Sequence, residues 1–261
     1  MRVIELQGVK NVRDLGALPV SGGRVVVLGR IYRGSHLQKA TDADLTVLSE
    51  RCGIRHVVDL RVGWERETKP NRHIPGADQL LVPFFDKDEV GVEYEKPIPN
   101  TRMKGHDFAC DPDDFYRAMA NPLTVAQMRT AVNAVLAYAA KGEAVYFHCS
   151  GGKDRAGITA LLVLAVLGAS RETILEDYLL TNASREANIE GVYQRFLYLC
   201  YGDEEMAREV TENHRARPEN LEAFYEEVER LYGGMDAFVK NQLGIDDARR
   251  EMFRQALTRP V

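Results

Sequence analysis

The segment from Ala144 to Gly168 constrains the fold more than any other part of this 261-residue chain. Ala144–Phe147 is a short, continuously apolar run. Such a run suits a central parallel strand covered by helices on both faces. A polar, glycine-containing loop follows, His148 to Gly157. Beyond it, Gly157–Leu167 is apolar almost all round, which predicts a buried helix stopped by Gly168. A strand, a loop and a buried helix in that order belong inside an α/β core. The rest of the chain fits. Val25–Leu28, Ile54–Leu60 and Gln79–Phe85 read as strands. Helices are predicted over Asp42–Cys52 (capped by Thr41, with Asp44 at N3), over Leu123–Lys141, from Ser170 to Leu180, from Pro218 to Leu231, and twice more around Gly244. The expected architecture is α/β: a small, mostly parallel central sheet flanked by helices, with a helical C-terminal portion over 170–261. No repeat, low-complexity tract or linker divides residues 1–261, so they read as a single domain.

Charge and cysteine usage remove several function classes. Lys plus Arg total 34 against 39 Asp plus Glu, a formal net charge of −5. That disfavours nucleic acid as a partner, since a coat on an extended polyanion needs basic charge. It leaves room for one local anion site. The four cysteines, Cys52, Cys110, Cys149 and Cys200, include no CxxC pair. A disulfide framework and a zinc ribbon are therefore not expected, and no metal or cofactor is called for. Residues 1–7 lack the apolar core of a signal peptide, and Ala156–Ala169 is shorter than the ~20 residues that span a bilayer. The expectation is a cytoplasmic protein with free thiols and no stable membrane insertion.

The loop His148-Cys149-Ser150-Gly151-Gly152-Lys153-Asp154-Arg155-Ala156-Gly157 carries the chemistry. A helix N-terminus offers unbonded backbone N–H groups and the positive end of a dipole. Glycines let the preceding loop turn further N–H groups inward as a nest. The loop holds no GKS or GKT, so a nucleotide-binding P-loop is excluded. Instead a cysteine opens it and an arginine stands six residues on. A thiol at the focus of those dipoles and a guanidinium is acidified and becomes a thiolate nucleophile. Arg155 is suited to grip two phosphoryl oxygens at once, which a lysine does less well.

With that filling, the string resembles the phosphate loop of the protein tyrosine phosphatase superfamily, cysteine, five residues, arginine. Gly-Lys-Asp-Arg resembles its bacterial branch of tyrosine, dual-specificity and phosphoinositide phosphatases. Asn11-Val-Arg-Asp-Leu-Gly16, Tyr32-Arg-Gly-Ser35, Val58-Asp-Leu-Arg61 with Glu65, Asp177-Tyr-Leu-Leu-Thr-Asn182 and the Tyr232 to Ile245 region resemble further elements of that branch. The resemblance implies a cysteine-phosphatase fold. It implies a metal-independent phosphatase that passes through a phosphocysteine and acts on phosphorylated proteins or phosphoinositides. Cys149 would be the nucleophile and Arg155 the phosphate clamp. The N–H groups of Ser150, Gly151, Gly152, Lys153, Asp154 and Arg155 would line the cradle, and His148 would position and acidify the thiol.

The leaving group needs a proton. Asp86 sits where the superfamily carries its acid loop, and Asp154 lies in the phosphate loop itself; both remain candidates. Lys153 reads either as a solvent-facing side chain or as a contact to a second anionic group. The long polar stretch from Asp86 to Asp114 reads as a lid, and Cys110 within it as the one thiol placed to pair with Cys149. Asn11, Arg13 and Asp14 read as bracing, Asp59 and Arg61 as a buried network. The branch usually has Thr or Ser after the loop arginine, whose hydroxyl eases departure of the cysteine sulfur; here it is Ala156, which implies slower second-step hydrolysis. The alternative is a catalytically impaired protein that captures phosphorylated partners.

Overall fold

The computed structural model describes residues 2–84, 112–186 and 189–261. A five-stranded sheet is built from β1 (Arg13–Asp14), β4 (Ile31–Gly34), β5 (Ile54–Asp59), β6 (Asp78–Leu81) and β7 (Ala144–His148), in the order β1-β4-β7-β5-β6. β4, β7, β5 and β6 run parallel; only β1 is antiparallel, at the edge. A second, antiparallel sheet joins β2 (Pro19–Val20) and β3 (Arg24–Val26) to β8 (Thr258–Pro260). The α/β expectation with a mostly parallel sheet holds.

β7 is buried along its whole length, as its unbroken apolar run predicted. Its side chains alternate between two cores. Val145 and Phe147 join the larger one, with Val58 and Leu60 of the β5 region. Ala144 and Tyr146 face the smaller one, with Ile54, Val57, Leu45 and Leu48. The helices are α1 (Asp42–Thr46), α2 (Gly63–Thr68), α3 (Pro112–Met119), α4 (Pro122–Ala140), α5 (Asp154–Leu167), α6 (Arg171–Glu186), α7 (Ile189–Leu199), α8 (Glu204–Asn213), α9 (Pro218–Tyr232), the single turn α10 (Met235–Ala237) and α11 (Asp247–Leu257).

The predicted helix over 42–52 is α1 continued by a wider turn over Val47–Arg51, and its Thr41/Asp44 capping box is present. α5 begins at Asp154 rather than Gly157, because the glycine at 157 lies inside the helix, against Tyr178. α6 runs past Leu180 to Glu186. Two strand expectations change. Residues 24–26 join the small sheet, not the central one, and Ile31–Gly34 takes the place beside β7. The run at 79–85 is strand only as far as Leu81. The last part of the 86–114 stretch, 112–114, is the start of α3 and not loop.

α5 packs against the sheet and α4, with Leu161, Leu162, Val163, Leu164, Val166 and Leu167 all buried. Leu164→Ala removes three carbons from a fully buried position, and its cost is expected at about 2–5 kcal/mol, read as a lower urea midpoint with an unchanged m value.

Candidate active site

Gly34, His148 and Asp59 lie abreast at the C-terminal ends of β4, β7 and β5. This is the edge of a parallel sheet where ligands bind. The phosphate loop springs from it, with Cys149 immediately after β7 and Arg155 in the first turn of α5.

The loop's carbonyls are tied back on the outside. Ser150 O accepts from His36 N–H at 3.2 Å. Gly151 O and Gly152 O accept from Asn11 Nδ2 at 3.3 and 3.0 Å. Arg33 donates to Gly152 O at 2.9 Å and to Lys153 O at 3.4 Å. Each planar trans peptide sets its C=O and the next N–H on opposite sides. Holding these carbonyls outward therefore aims the N–H groups of residues 151–154 into the concavity, where a phosphoryl group would meet them. Gly152 makes this possible on two counts. Its φ is +71°, and a Cβ there would lie 2.5 Å from the carbonyl carbon of Gly34.

Beneath the loop lies the Asp177 carboxylate, buried among three guanidinium groups, those of Arg2, Arg13 and Arg33. Arg13 also donates to Asp177 O at 2.8 Å and to Asn11 Oδ1 at 2.5 Å. Arg33 reaches Asp177 at 2.9 Å with one nitrogen and the loop carbonyls with the other. Burial alone would raise the Asp177 pKa, but the charges of Arg13, Arg33 and Arg2 outweigh it and hold the carboxyl below its ordinary value. Burial and the neighbouring Arg13 lower Arg33 to about 10, which leaves it charged at neutral pH. Asn11, Arg13 and Asp14 brace the site as expected; Asp14 closes a turn by accepting from Gly16 N–H at 2.7 Å and Gly29 N–H at 2.6 Å.

Arg155 is buried and clamped by Glu65. Its two terminal nitrogens donate to the two Glu65 oxygens at 2.7 and 3.0 Å, and one also reaches Leu60 O at 3.3 Å. A bidentate pair fixes the plane of the guanidinium. Glu65 in turn accepts from Val62 N–H at 3.0 Å, closing the start of α2. In the sequence, the spacing of Glu65 after Arg61 is the one signal for this clamp.

His148 is fully buried. Its Nδ1 lies 2.9 Å from Cys149 O and so carries the proton; its Nε2 accepts from Asn71 Nδ2 at 3.0 Å. Asn71 is oriented by accepting from Leu37 N–H at 2.8 Å. Burial pushes the His148 pKa down, only partly offset by Asp59. At neutral pH the ring therefore bears on the thiol through position, not through a positive charge. Asp59 and Arg61 form the expected buried network, paired at 2.8 Å, with Asn71 and Gln79 donating to the same carboxylate. Burial, together with the charges of Arg61 and Lys69, pushes His36 down to about 4, so it too is neutral.

Asp154 is the first residue of α5 rather than its N-cap, which is Lys153. Its Oδ1 lies 2.5 Å from the Tyr116 hydroxyl and 3.2 Å from Lys153 Nζ. Lys153 is 6% exposed and also donates to Arg215 O and Asn213 O at 3.2 and 3.4 Å. It is therefore not a solvent-facing lysine. Asp86 and Cys110 lie outside the described residues. A cavity of about 300 Å³ opens beside Gly151, bordered by Lys10, Asn11, His36, Ile189 and Val192. A larger one, about 520 Å³, sits at the opposite ends of β5 and β7 and holds none of the loop residues. Among the described residues, no helix is long and apolar enough to cross a membrane.

A buried Cys149, a loop whose carbonyls are tied outward and an Arg155 fixed by Glu65 follow one another between β7 and α5. The family model described as "Tyrosine phosphatase family" matches residues 4–259. A chain of Cupriavidus necator named as a tyrosine-protein phosphatase is 29% identical over 241 residues, 92% of this chain and 84% of that one. "Triple specificity protein phosphatase PtpB" of Mycobacterium tuberculosis is 29% identical over 286 aligned positions, 98% of this chain and 99% of that one. A solved structure titled "Crystal Structure of PTPMT1" aligns over 77% of this chain and 91% of its own at 17% identity, with a TM-score of 0.37.

Two substitutions probe the scaffold. Gly152→Ala forces a Cβ into the Gly34 backbone, so phosphate-ester turnover is expected to fall at least a hundredfold while far-UV circular dichroism stays native. Asp177→Asn strips the counter-charge from the three arginines, at an expected cost of about 3–5 kcal/mol near neutral pH. Because the folded pKa of Asp177 is depressed, its contribution is full above the unfolded value of ~3.9 and fades as pH falls through the folded one. The gap between wild type and Asp177→Asn in urea unfolding should therefore be widest near pH 7 and narrow below about pH 4.

Proposed function

Since the chain belongs to the tyrosine phosphatase family, we propose that it hydrolyses phosphomonoesters through a phosphocysteine on Cys149. The observation that carries this reading is the outward tethering of the loop carbonyls by Asn11, Arg33 and His36, which aims a row of N–H groups at the anion beside Cys149. The Cys149 thiolate attacks phosphorus, forming an S–P bond as the P–O bond to the leaving group breaks. Arg155, held by Glu65, and the inward N–H groups bind the equatorial oxygens whose charge persists through that transition state. Asp154 supplies the leaving group's proton and then takes one from the attacking water, which releases phosphate and restores the thiolate. Its carboxyl lies at the start of α5, next to Arg155.

Phosphotyrosine is the first substrate class to expect. Phosphoserine, phosphothreonine and phosphoinositides form the wider set, in keeping with the name of the PtpB relative. A reducing cytoplasm keeps such a thiol in its working form. Capture of phosphorylated partners without turnover gains nothing from the family assignment.

Cys149→Ser is expected to abolish phosphate release from an aryl phosphate, and vanadate to inhibit the wild type. Turnover surviving in Cys149→Ser would sink the mechanism. Ala156→Thr restores a hydroxyl beside the leaving sulfur and is expected to raise kcat severalfold. The pre-steady-state burst rate should stay the same in stopped-flow measurements.

A further inference from the structure

Beside the phosphate loop lies a cavity that the Cys149 chemistry does not require. It has a volume of about 300 Å³ and touches the loop at Gly151. Two kinds of side chain line it. Lys10 and Lys39 are exposed and cationic; Ile189 and Val192, both on α7, are apolar and half-buried. Arg215 borders it as well, but is paired with Glu186 at 2.6 Å and Glu212 at 3.0 Å.

The ties that shape the loop also fix the two lysines beside it. Lys10 and Ser35 exchange two hydrogen bonds, Ser35 N–H to Lys10 O at 3.0 Å and Lys10 N–H to Ser35 Oγ at 3.0 Å. Gly8 is pressed against Lys39, where a Cβ would stand 1.6 Å from the Lys39 carbonyl oxygen. Segments 8–10 and 35–39 therefore run side by side. Each is tied to the phosphate loop, the first through Asn11 to Gly151 O and Gly152 O, the second through His36 N–H to Ser150 O. The backbone that carries both ammonium groups is thus held at a set distance from the place of the phosphoryl group. Neither lysine has a carboxylate partner among the described residues; Lys10 Nζ donates to Gln7 O at 3.2 Å. The carboxylate that adjoins this segment, Asp44, is turned inward and buried. It accepts from the N–H groups of Gln7, Gly8 and Thr41 at 2.7, 2.8 and 2.9 Å.

We propose that this cavity is a second substrate subsite, in which Lys10 and Lys39 take the carboxylate of an acidic residue flanking the phosphorylated one while Ile189 and Val192 cover an apolar neighbour. The proposal rests on Cys149 phosphatase chemistry. The mixed lining selects the kind of ligand. An inositol phosphate headgroup is polar on every side and would leave the apolar pair facing it unused. A phosphopeptide brings both kinds of group. Its residues advance by about 3.3–3.6 Å each, so the immediate neighbours of the phosphorylated residue reach a cavity that begins at Gly151. An ammonium on a flexible stem attracts a carboxylate without demanding one geometry. The subsite therefore favours acidic flanks as a class. Because the lysines act on the flank and not on the phosphoryl group, their effect belongs to KM more than to kcat.

The test uses the full-length protein and phosphotyrosine peptides that differ only in their flanks, Glu and Leu or Gln and Leu on each side. Phenyl phosphate serves as an ester with no flank. Wild-type kcat/KM is expected to be about fivefold higher for the Glu peptide than for the Gln peptide, mainly through KM. Added salt should shrink that preference. Joint replacement Lys10→Ala and Lys39→Ala should erase it and change phenyl phosphate turnover less than about twofold. Joint Lys10→Glu and Lys39→Glu should reverse it in favour of a Lys-flanked peptide. Exchanging Leu for Ser in the Glu peptide should lower kcat/KM about threefold in the wild type and have no effect in Val192→Ser. Equal kcat/KM for the Glu and Gln peptides in the wild type, or a preference that survives the alanine pair, overturns the subsite while leaving the Cys149 chemistry standing. If the alanine pair lowers turnover of a soluble phosphoinositide and leaves the peptide preference intact, the cavity serves a headgroup and the peptide reading falls. Turnover of these esters that survives Cys149→Ser overturns the Cys149 chemistry and this proposal with it.

Discussion

One carboxylate, that of Asp177, holds the catalytic edge together. It sits on α6, yet it fixes Arg2, Arg13 and Arg33 from the first 33 residues of the chain, and Arg33 passes that constraint directly to the loop carbonyls. Four buried or half-buried charges at such distances are expensive to desolvate one at a time and tolerable only as a set. The cradle inherits this property. Its N–H groups point inward because their carbonyls are held outward, and the holders are held by Asp177. The site's capacity for an anion is therefore built into the scaffold before any ligand arrives, the condition under which fixed dipoles are most effective.

The division of labour around Cys149 follows from burial. The groups that could titrate near neutral pH, His148 and His36, are pushed down by burial and stay neutral. Positive charge at the site then comes from arginines and Lys153, and from backbone dipoles, which cannot titrate. Arg155 is itself committed to Glu65 on one side. A guanidinium so held loses little further freedom on meeting a phosphoryl group, and that saves part of the entropy cost of binding.

Much of this was legible in the residues. The Ala144–Gly168 segment has the only apolar strand that leads straight into an all-round apolar helix, and local pattern was enough to place both and the loop between them. The loop's Cys149 and Arg155 announce an anion site by residue type and spacing. Local pattern failed where the determining contact is remote. Ile31–Gly34 carries two polar or charged residues and a glycine, so nothing in it reads as a central strand; it is one because Arg33 finds Asp177, and because a side chain at Gly34 would collide with Tyr146. Glu65 looks like any exposed helical glutamate until Arg155 is placed beside it. Tyr116 lies between the stretch read as a lid and the next predicted helix, and its partners lie 38 and 62 residues away in sequence. Asp86, one of the two acid candidates argued from resemblance, falls outside the described residues.

The ties that shape the phosphate loop also set an order of events in the chain's making. Asn11 meets the loop across 141 residues, and Arg13 meets Asp177 across 164. Contacts of that separation form late, because each must close a long loop before it returns any stability. A growing chain that has just exposed residue 149 still lacks Asp177 and everything that depends on it. Its cysteine is then an ordinary thiol in an unshaped loop, with neither inward dipoles nor a clamped guanidinium to turn it into a strong nucleophile. On the proposed mechanism, reactivity thus arrives only with the completed fold.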